Sequence, residues 1–218
     1  MNYKYIVLDF GKVLAAPTTG NWDITPKFLE LIDIKKIDIE KFKELREKLE
    51  STISEKLLTL DEEYDMFTRF YETILKEFGY SKDIAKQIAY DRTYNYSKYT
   101  LYNNVHDELK RLKEKYSLIL LTDNWPCVIS YLKKYELYDF FEKVYISSIY
   151  GAVKNDKVLF DYPINDFNIK PGEALFIDDN EANLDIAIEK GFDVLLMDRE
   201  KNIKESKYKI INDLNNIE

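Results

Sequence analysis

Uninterrupted apolar runs that each stop at a polar residue constrain this chain more than any other feature. They are YKYIVLD (3–9), SLILLT (117–122), KVYISS (143–148), ALFIDD (174–179) and DVLLMD (193–198). Each has the length of a strand, and none shows the polar–apolar alternation of a sheet with one wet face. Helical spacing fills the gaps: Val105, Leu109 and Leu112; Val128, Ile129 and Leu132; residues 160–167; and residues 180–190, stopped by Gly191. Apolar strands separated by helices predict a parallel sheet covered on both faces. A stretch of another kind separates the first run from the rest. From Trp22 to Lys98 one helical face follows another. The first holds Phe28, Leu29, Leu31 and Ile32, and the second Ile39, Phe42, Leu45, Leu49 and Ile53. The third holds Tyr64, Phe67, Phe70, Tyr71, Ile74 and Leu75 and is closed by Gly79; the fourth, opened by Ser81, holds Ile84, Ile88 and Tyr90. The expectation is a doubly wound α/β core over residues 1–16 and 100–218, interrupted by an all-helical module over 17–99.

Composition removes several classes of function. With 45% hydrophobic residues the 218-residue chain can bury a sizeable core. Forty acidic residues against 32 basic ones give a net charge of −8, the wrong sign for nucleic acid or an anionic membrane surface. A single cysteine, Cys127, excludes an internal disulfide and a CxxC zinc site, and a single histidine, His106, excludes a His-rich metal site. No run approaches the roughly 18 apolar residues of a membrane span. The opening MNYKYIVL reaches Asp9 too early for a signal peptide, so a cytoplasmic protein is expected.

In an open parallel sheet, ligands collect beyond the carboxyl ends of the strands. The residues expected there are Asp9, Phe10, Gly11 and Lys12 after the first run, Thr122, Asp123 and Asn124 after the second, and Asp178 and Asp179 after the fourth. Lys154 follows Gly151 in the loop after KVYISS. Carboxylates at two strand ends suit Mg²⁺, a hard cation that takes a few carboxylates plus water and substrate oxygens. Thr122, neighbouring backbone N–H groups and Lys154 would donate to an anionic group such as phosphate. Taken singly, each has an ordinary explanation: a turn aspartate, a helix cap, a strand-end threonine, a solvated lysine. Their common edge and order argue for a site. The tyrosines at 90, 94, 96, 99 and 102, like Trp22 and Trp125, are expected to pack rather than to stack on bases. Cys127 follows Pro126 at a helix start, where a thiolate would be stabilised.

Four motifs in order resemble the haloacid dehalogenase superfamily, most of whose members are Mg²⁺-dependent phosphatases. IVLDFGKVL (6–14) is similar to its first motif, LILLT (118–122) to its second, Gly151-Ala-Val-Lys154-Asn-Asp156 to its third, and LFIDDNEAN (175–183) to its fourth. The resemblance implies a Rossmann-like core and makes the helical insertion a four-helix cap. It implies that Asp9 is the nucleophile forming an aspartyl-phosphate, and that Asp9, Asp178 and the Gly11 carbonyl bind Mg²⁺. Thr122, the Asp123 N–H and Lys154 would hold the phosphoryl oxygens of a small phosphorylated substrate, and Asp179 would orient a metal-bound water or Lys154. Lys12 and Asn155 stand where the family usually has Gly and Pro. At Gly11 the family usually has an Asp that serves as general acid/base, and its loss typically costs about 10²–10⁴-fold in rate. The resemblance therefore leaves two alternatives beside the phosphatase. One is a non-catalytic protein that binds phosphoryl ligands; the other is a metal-independent 2-haloacid dehalogenase, whose first motif also lacks that Asp.

Overall fold

In a computed structural model the described residues are 3–50 and 56–217. Ile53 lies outside them. The chain runs β1 (Tyr5–Leu8), β2 (Ala15–Pro17), α1 (Pro26–Leu31), α2 (Ile39–Glu50), α3 (Leu60–Lys76), α4 (Lys82–Tyr90) and β3 (Tyr99–Leu101). It continues α5 (Val105–Lys113), β4 (Ser117–Thr122), α6 (Cys127–Lys134), β5 (Phe141–Ile146), α7 (Ser147–Tyr150), α8 (Val158–Phe167), β6 (Ala174–Asp178), α9 (Glu181–Glu189), β7 (Asp193–Met197) and β8 (Ile210–Ile211). It divides into two compact units, one of residues 1–16, 101–124 and 128–218, the other of residues 17–100 and 125–127. Among the described residues no helix is long and apolar enough to cross a membrane.

The first unit is a parallel six-stranded sheet in the order β5-β4-β1-β6-β7-β8. Alternate residues of each strand go to opposite faces, and both faces are apolar. Val7, Ile119, Leu121 and Phe176 join one cluster with Leu159 and Phe160 of α8 and Leu184 and Ala187 of α9. The intervening Ile6, Leu8, Leu118, Leu120, Leu175 and Ile177 are equally buried. β1 sits centrally: the chain builds outward through β4 and β5 on one side, then crosses to β6, β7 and β8 on the other. That reversal makes the carboxyl end of β1 a topological switch point, where ligands bind in open sheets of this kind. KVYISS is strand only as far as Ile146. Ser147 Oγ accepts the Asn124 N–H at 3.0 Å, and the chain makes the short α7 before Gly151, at φ 67°, turns it.

The second unit is helical. Thr59 and Glu62 cap α3 reciprocally, with Glu62 N–H donating to Thr59 Oγ1 at 3.2 Å and Thr59 N–H to Glu62 Oε2 at 3.0 Å. Its stripe of Phe67, Phe70, Tyr71, Ile74 and Leu75 packs against Phe28, Phe42, Ala85 and Ile88. Gly79, at φ 80°, lets the chain turn so that Tyr80 N–H returns to Leu75 O at 3.1 Å. Tyr90 does not face inward: it is 53% exposed, as are large parts of Leu29 and Ile39. The cause is helical spacing: two residues beyond the buried Ile88, Tyr90 points about 200° away from it around α4. α4 then runs into a π turn over Asp91–Asn95, where Arg92 and Thr93 are buried.

Candidate active site

The strand ends of the first unit converge as the sheet order requires. Leu8 of β1 pairs with Leu120 of β4 and Ile177 of β6, so Asp9, Thr122 and Asp178 leave three adjacent strands at one edge. Asp9 N–H still donates to Ile177 O at 2.9 Å, which holds the first residue after β1 in line with the sheet. Lys154 reaches the same place from a 3₁₀ turn, Lys154–Asp156, whose start is fixed by Asp123: the Lys154 N–H donates to Asp123 Oδ1 at 3.0 Å. Its Nζ donates to Asp9 Oδ1 at 2.8 Å and to Asp178 Oδ2 at 2.6 Å. The structure thus brings together Asp9, Lys154 and Asp178, with Thr122 buried beside them in β4 and Asp123 behind the lysine.

Asp178 is held from its other side. Its Oδ1 accepts the Asn180 N–H at 2.8 Å, and its Oδ2 accepts Asn183 Nδ2 at 3.0 Å. Asn180 caps α9 by accepting Ala182 N–H at 3.0 Å, so the helix start and the carboxylate are oriented by one short segment. Asn183, to which the motif alone assigns no role, thus joins the site through Asp178. Its signal is the final Asn of the fourth motif, in the first turn of α9. Asp179 is half-buried and meets Lys12 Nζ at 3.4 Å. Lys12 itself stands at φ 52°, a left-handed conformation that suits the glycine usual there. Gly11 forms a bridge to Ala15 within the same loop.

Burying this many charges moves their titration. Burial raises the Asp9 carboxyl to about 7, with Lys154 opposing the rise and Asp178 adding to it. Burial alone would lower the Lys154 ammonium, but Asp178, Asp9 and Asp123 outweigh it and hold it above the usual lysine range. Burial also raises Asp123, against Lys154, and raises Asp179 together with the Asp178 charge. Cys127 is not activated. Burial and the Glu63 carboxylate push its thiol up to about 12, far from a reactive thiolate. His106 is exposed on α5, its Nε2 2.7 Å from Tyr135 O, and joins no nucleophilic arrangement.

The donor set fits a hard divalent cation. Asp9, Asp178 and Asp179 each offer a carboxylate oxygen, and these oxygens lie within 4.8 Å of one another. An all-oxygen set of this kind suits Mg²⁺ rather than zinc or a thiophilic metal.

Comparison with known proteins places this geometry. The family model of the haloacid dehalogenase-like hydrolases matches residues 3–190. D-ribitol-5-phosphate phosphatase of Bacteroides thetaiotaomicron is 33% identical over 94 residues, 40% of this chain and 46% of that enzyme. The chain therefore aligns with about half the length of this curated relative. Among solved structures, the magnesium-bound HAD-hydrolase YfnB of Bacillus subtilis matches with a TM-score of 0.67 at 17% identity, over 99% of this chain and 97% of that one. L-2-haloacid dehalogenase of Xanthobacter autotrophicus, with chloropropionic acid covalently bound, matches with a TM-score of 0.68 at 14% identity, over 97% and 95%. At such identities the structural likenesses speak for the fold alone. The family match spans most of the chain, including Asp9, Lys154 and Asp178, and the chain belongs to the haloacid dehalogenase-like hydrolases.

Proposed function

We propose that this protein is a Mg²⁺-dependent phosphatase of a small phosphate ester, a sugar phosphate among the candidates. The observation that carries this reading is the single Lys154 ammonium bridging Asp9 and Asp178, with a third carboxylate oxygen within 4.8 Å of both. The partial match to a ribitol phosphate phosphatase supports the substrate class. Asp9, Asp178 and the Gly11 carbonyl would hold Mg²⁺, with Asp179 behind them. When bound, the ion would neutralise the carboxylates and draw charge from the phosphoryl oxygens.

Asp9 is the nucleophile in this reading. A carboxylate oxygen attacks phosphorus, the bond to the leaving oxygen breaks, and an aspartyl-phosphate forms. Water then attacks that phosphorus, the phosphorus–Asp9 bond breaks, and inorganic phosphate leaves. Lys154 and Thr122 supply donors to the phosphoryl oxygens as charge spreads over them. Gly11 has no proton to give, so the leaving oxygen draws its proton from water or leaves as a stable anion. Anomeric and acyl phosphates suit such a site better than simple alkyl phosphates. The helical unit would act as the cap that confers specificity.

The test is phosphate release from a panel of sugar, nucleotide and acyl phosphates with Mg²⁺ and with EDTA. Asp9→Asn serves as the control for contaminating phosphatase. Turnover that needs Mg²⁺ and falls by 10³-fold or more in Asp9→Asn, on the order expected for loss of a nucleophile, is the expected result. Silence across the panel with ligand-induced stabilisation would favour a binding protein. Chloride release from a 2-haloacid in EDTA would favour the dehalogenase.

A further inference from the structure

The loop that begins at Asp9 is gripped at its far end by a buried ion pair. Val13 O accepts two N–H groups of one guanidinium, Arg199 Nε at 3.0 Å and Nη2 at 2.9 Å. The other directions of the same group go to Glu108, Nη2 to Oε2 at 2.6 Å and Nη1 to Oε1 at 2.9 Å, with a longer contact from Nη1 to Asn104 Oδ1 at 3.5 Å. The Arg199 side chain is 4% exposed and that of Glu108 fully buried. Glu108 is itself held, because its Oε1 accepts Leu214 N–H at 3.0 Å and Asn104 Nδ2 at 2.7 Å. The guanidinium also lies 5.1 Å from the centre of the Tyr102 ring, and Tyr102 N–H donates to Leu14 O at 3.1 Å.

Between Asp9 and this anchor the loop is short and strained. Phe10 O accepts both Leu14 N–H at 2.9 Å and Ala15 N–H at 3.1 Å, Lys12 N–H donates to Ala15 O at 2.7 Å, and Lys12 stands at φ 52°. A strained conformation persists only where its surroundings over-determine it. A buried, forked ion pair on the adjoining carbonyl is such a constraint. Arg199 lies just beyond β7, so the anchor of the loop comes from a residue outside the sheet ladder.

We propose that Arg199, oriented by Glu108, is a positioning residue. It fixes the shape of the Asp9–Ala15 loop and thereby places the Gly11 carbonyl and Lys12 against Asp9 and Asp179. The part of this inference that concerns Mg²⁺ rests on the phosphatase reading. Lysine cannot replace the fork, because a point charge on a flexible stem does not span Val13 O and both Glu108 oxygens at once.

The experiment compares wild type with Arg199→Lys, which keeps the charge opposite Glu108, and with Glu108→Gln, which removes the charge and keeps one of the two acceptor oxygens. Amide hydrogen exchange is measured on the metal-free proteins, and binding of Mg²⁺ alone by calorimetry. In folded Arg199→Lys the amides of Lys12, Leu14 and Ala15 exchange about tenfold faster or more, those of Val7 and Leu8 are unchanged, and Mg²⁺ binds about 10–100-fold more weakly, as for partners that orient metal ligands. Glu108→Gln moves both readouts the same way by less. A folded variant with wild-type loop exchange and wild-type Mg²⁺ binding overturns the proposal. Faster exchange spread evenly over β1 and the loop, or failure of both variants to fold, shows a purely structural pair and overturns it too. If wild type neither binds Mg²⁺ nor releases phosphate, the phosphatase reading fails on its own, and loop exchange alone decides the role of Arg199.

Discussion

Lys154 stands between two buried carboxylates, and its removal leaves both without a cation. Breaking a buried pair by deleting one partner costs about 3–5 kcal/mol. Lys154→Met is therefore expected to lower metal-free stability by about that amount and to recover part of it when Mg²⁺ is added, read as a ligand-dependent melting temperature. Asp9 has the opposite character, because burial raises its carboxyl to about 7. A carboxyl raised on folding contributes stability fully present below the unfolded value, about 4, and lost as pH rises toward the folded value. In EDTA, Asp9→Asn should match wild type near pH 4, gain on it as pH rises, and hold a constant advantage above about pH 7. An advantage of even ~1 kcal/mol would raise the melting temperature by about 2–4 °C in a chain of this size. A wild type that gains stability relative to Asp9→Asn over that interval would refute the sign. Asp9, Thr122, Asp178 and Lys154 could be read from sequence because each ends or follows an apolar run, and chain direction alone brings strand ends to one edge. Glu108 and Arg199 could not, being 91 residues apart with no periodicity that links them.

Whole elements were legible in proportion to their length. The long runs gave β1, β4, β6 and β7, whereas β2, β3 and β8, of two or three residues, carry no periodicity to detect. The π turn after α4 has no compositional mark either, and it is what builds the polar interior of the helical unit. There Arg92 lies over the Phe67 ring at 3.9 Å and donates to Trp22 O, while Asp23 pairs with Arg46 Nε at 2.7 Å. Lys98 is 2% exposed, with its Nζ 3.5 Å from Glu63 Oε1, and Glu63 Oε2 accepts the Cys127 N–H at 2.7 Å. Burial lowers the Lys98 ammonium, the Arg92 charge adds to this, and the Glu63 carboxylate opposes it. Glu63→Gln keeps the acceptor for Cys127 and removes the charge that Lys98 needs. It should cost about 3–5 kcal/mol, and adding Lys98→Met should restore much of that, because an apolar side chain of similar length tolerates burial. Equal and additive losses in the double mutant, measured by denaturant unfolding, would show that the pair is not coupled.

At the scale of the whole chain, the helical unit is inserted between the first strand of the sheet and all the others. In the first unit Tyr102 N–H donates to Leu14 O at 3.1 Å; in the second, Thr18 N–H donates to Lys98 O at 3.0 Å and the Thr18 and Thr100 hydroxyls are 2.8 Å apart. The chain thus leaves and returns side by side, and β2 and β3 pair as a small sheet of their own. An insertion whose ends meet adds little closure entropy to its host, since that cost grows only as the logarithm of loop length. All the strands of the parallel sheet lie in the first unit, with one apolar cluster formed by α8 and α9 of that unit and buried apolar residues on the other face as well. Replacing residues 18–99 by a two-residue Asn-Gly turn is therefore expected to leave a protein that still melts in one cooperative step. Its melting temperature should fall, because Trp125 packs on Phe67 and the Cys127 N–H loses the Glu63 acceptor. If Mg²⁺ is held by Asp9, Gly11 and Asp178, all in the retained unit, the excised protein should bind it within about tenfold of the full chain, the scatter expected where only surroundings change. Turnover of the full chain's best substrate should drop much further, since specificity is assigned to the removed unit. Loss of cooperative melting would show instead that the sheet depends on the insertion for its folding. Retained turnover would remove the helical unit from the reaction.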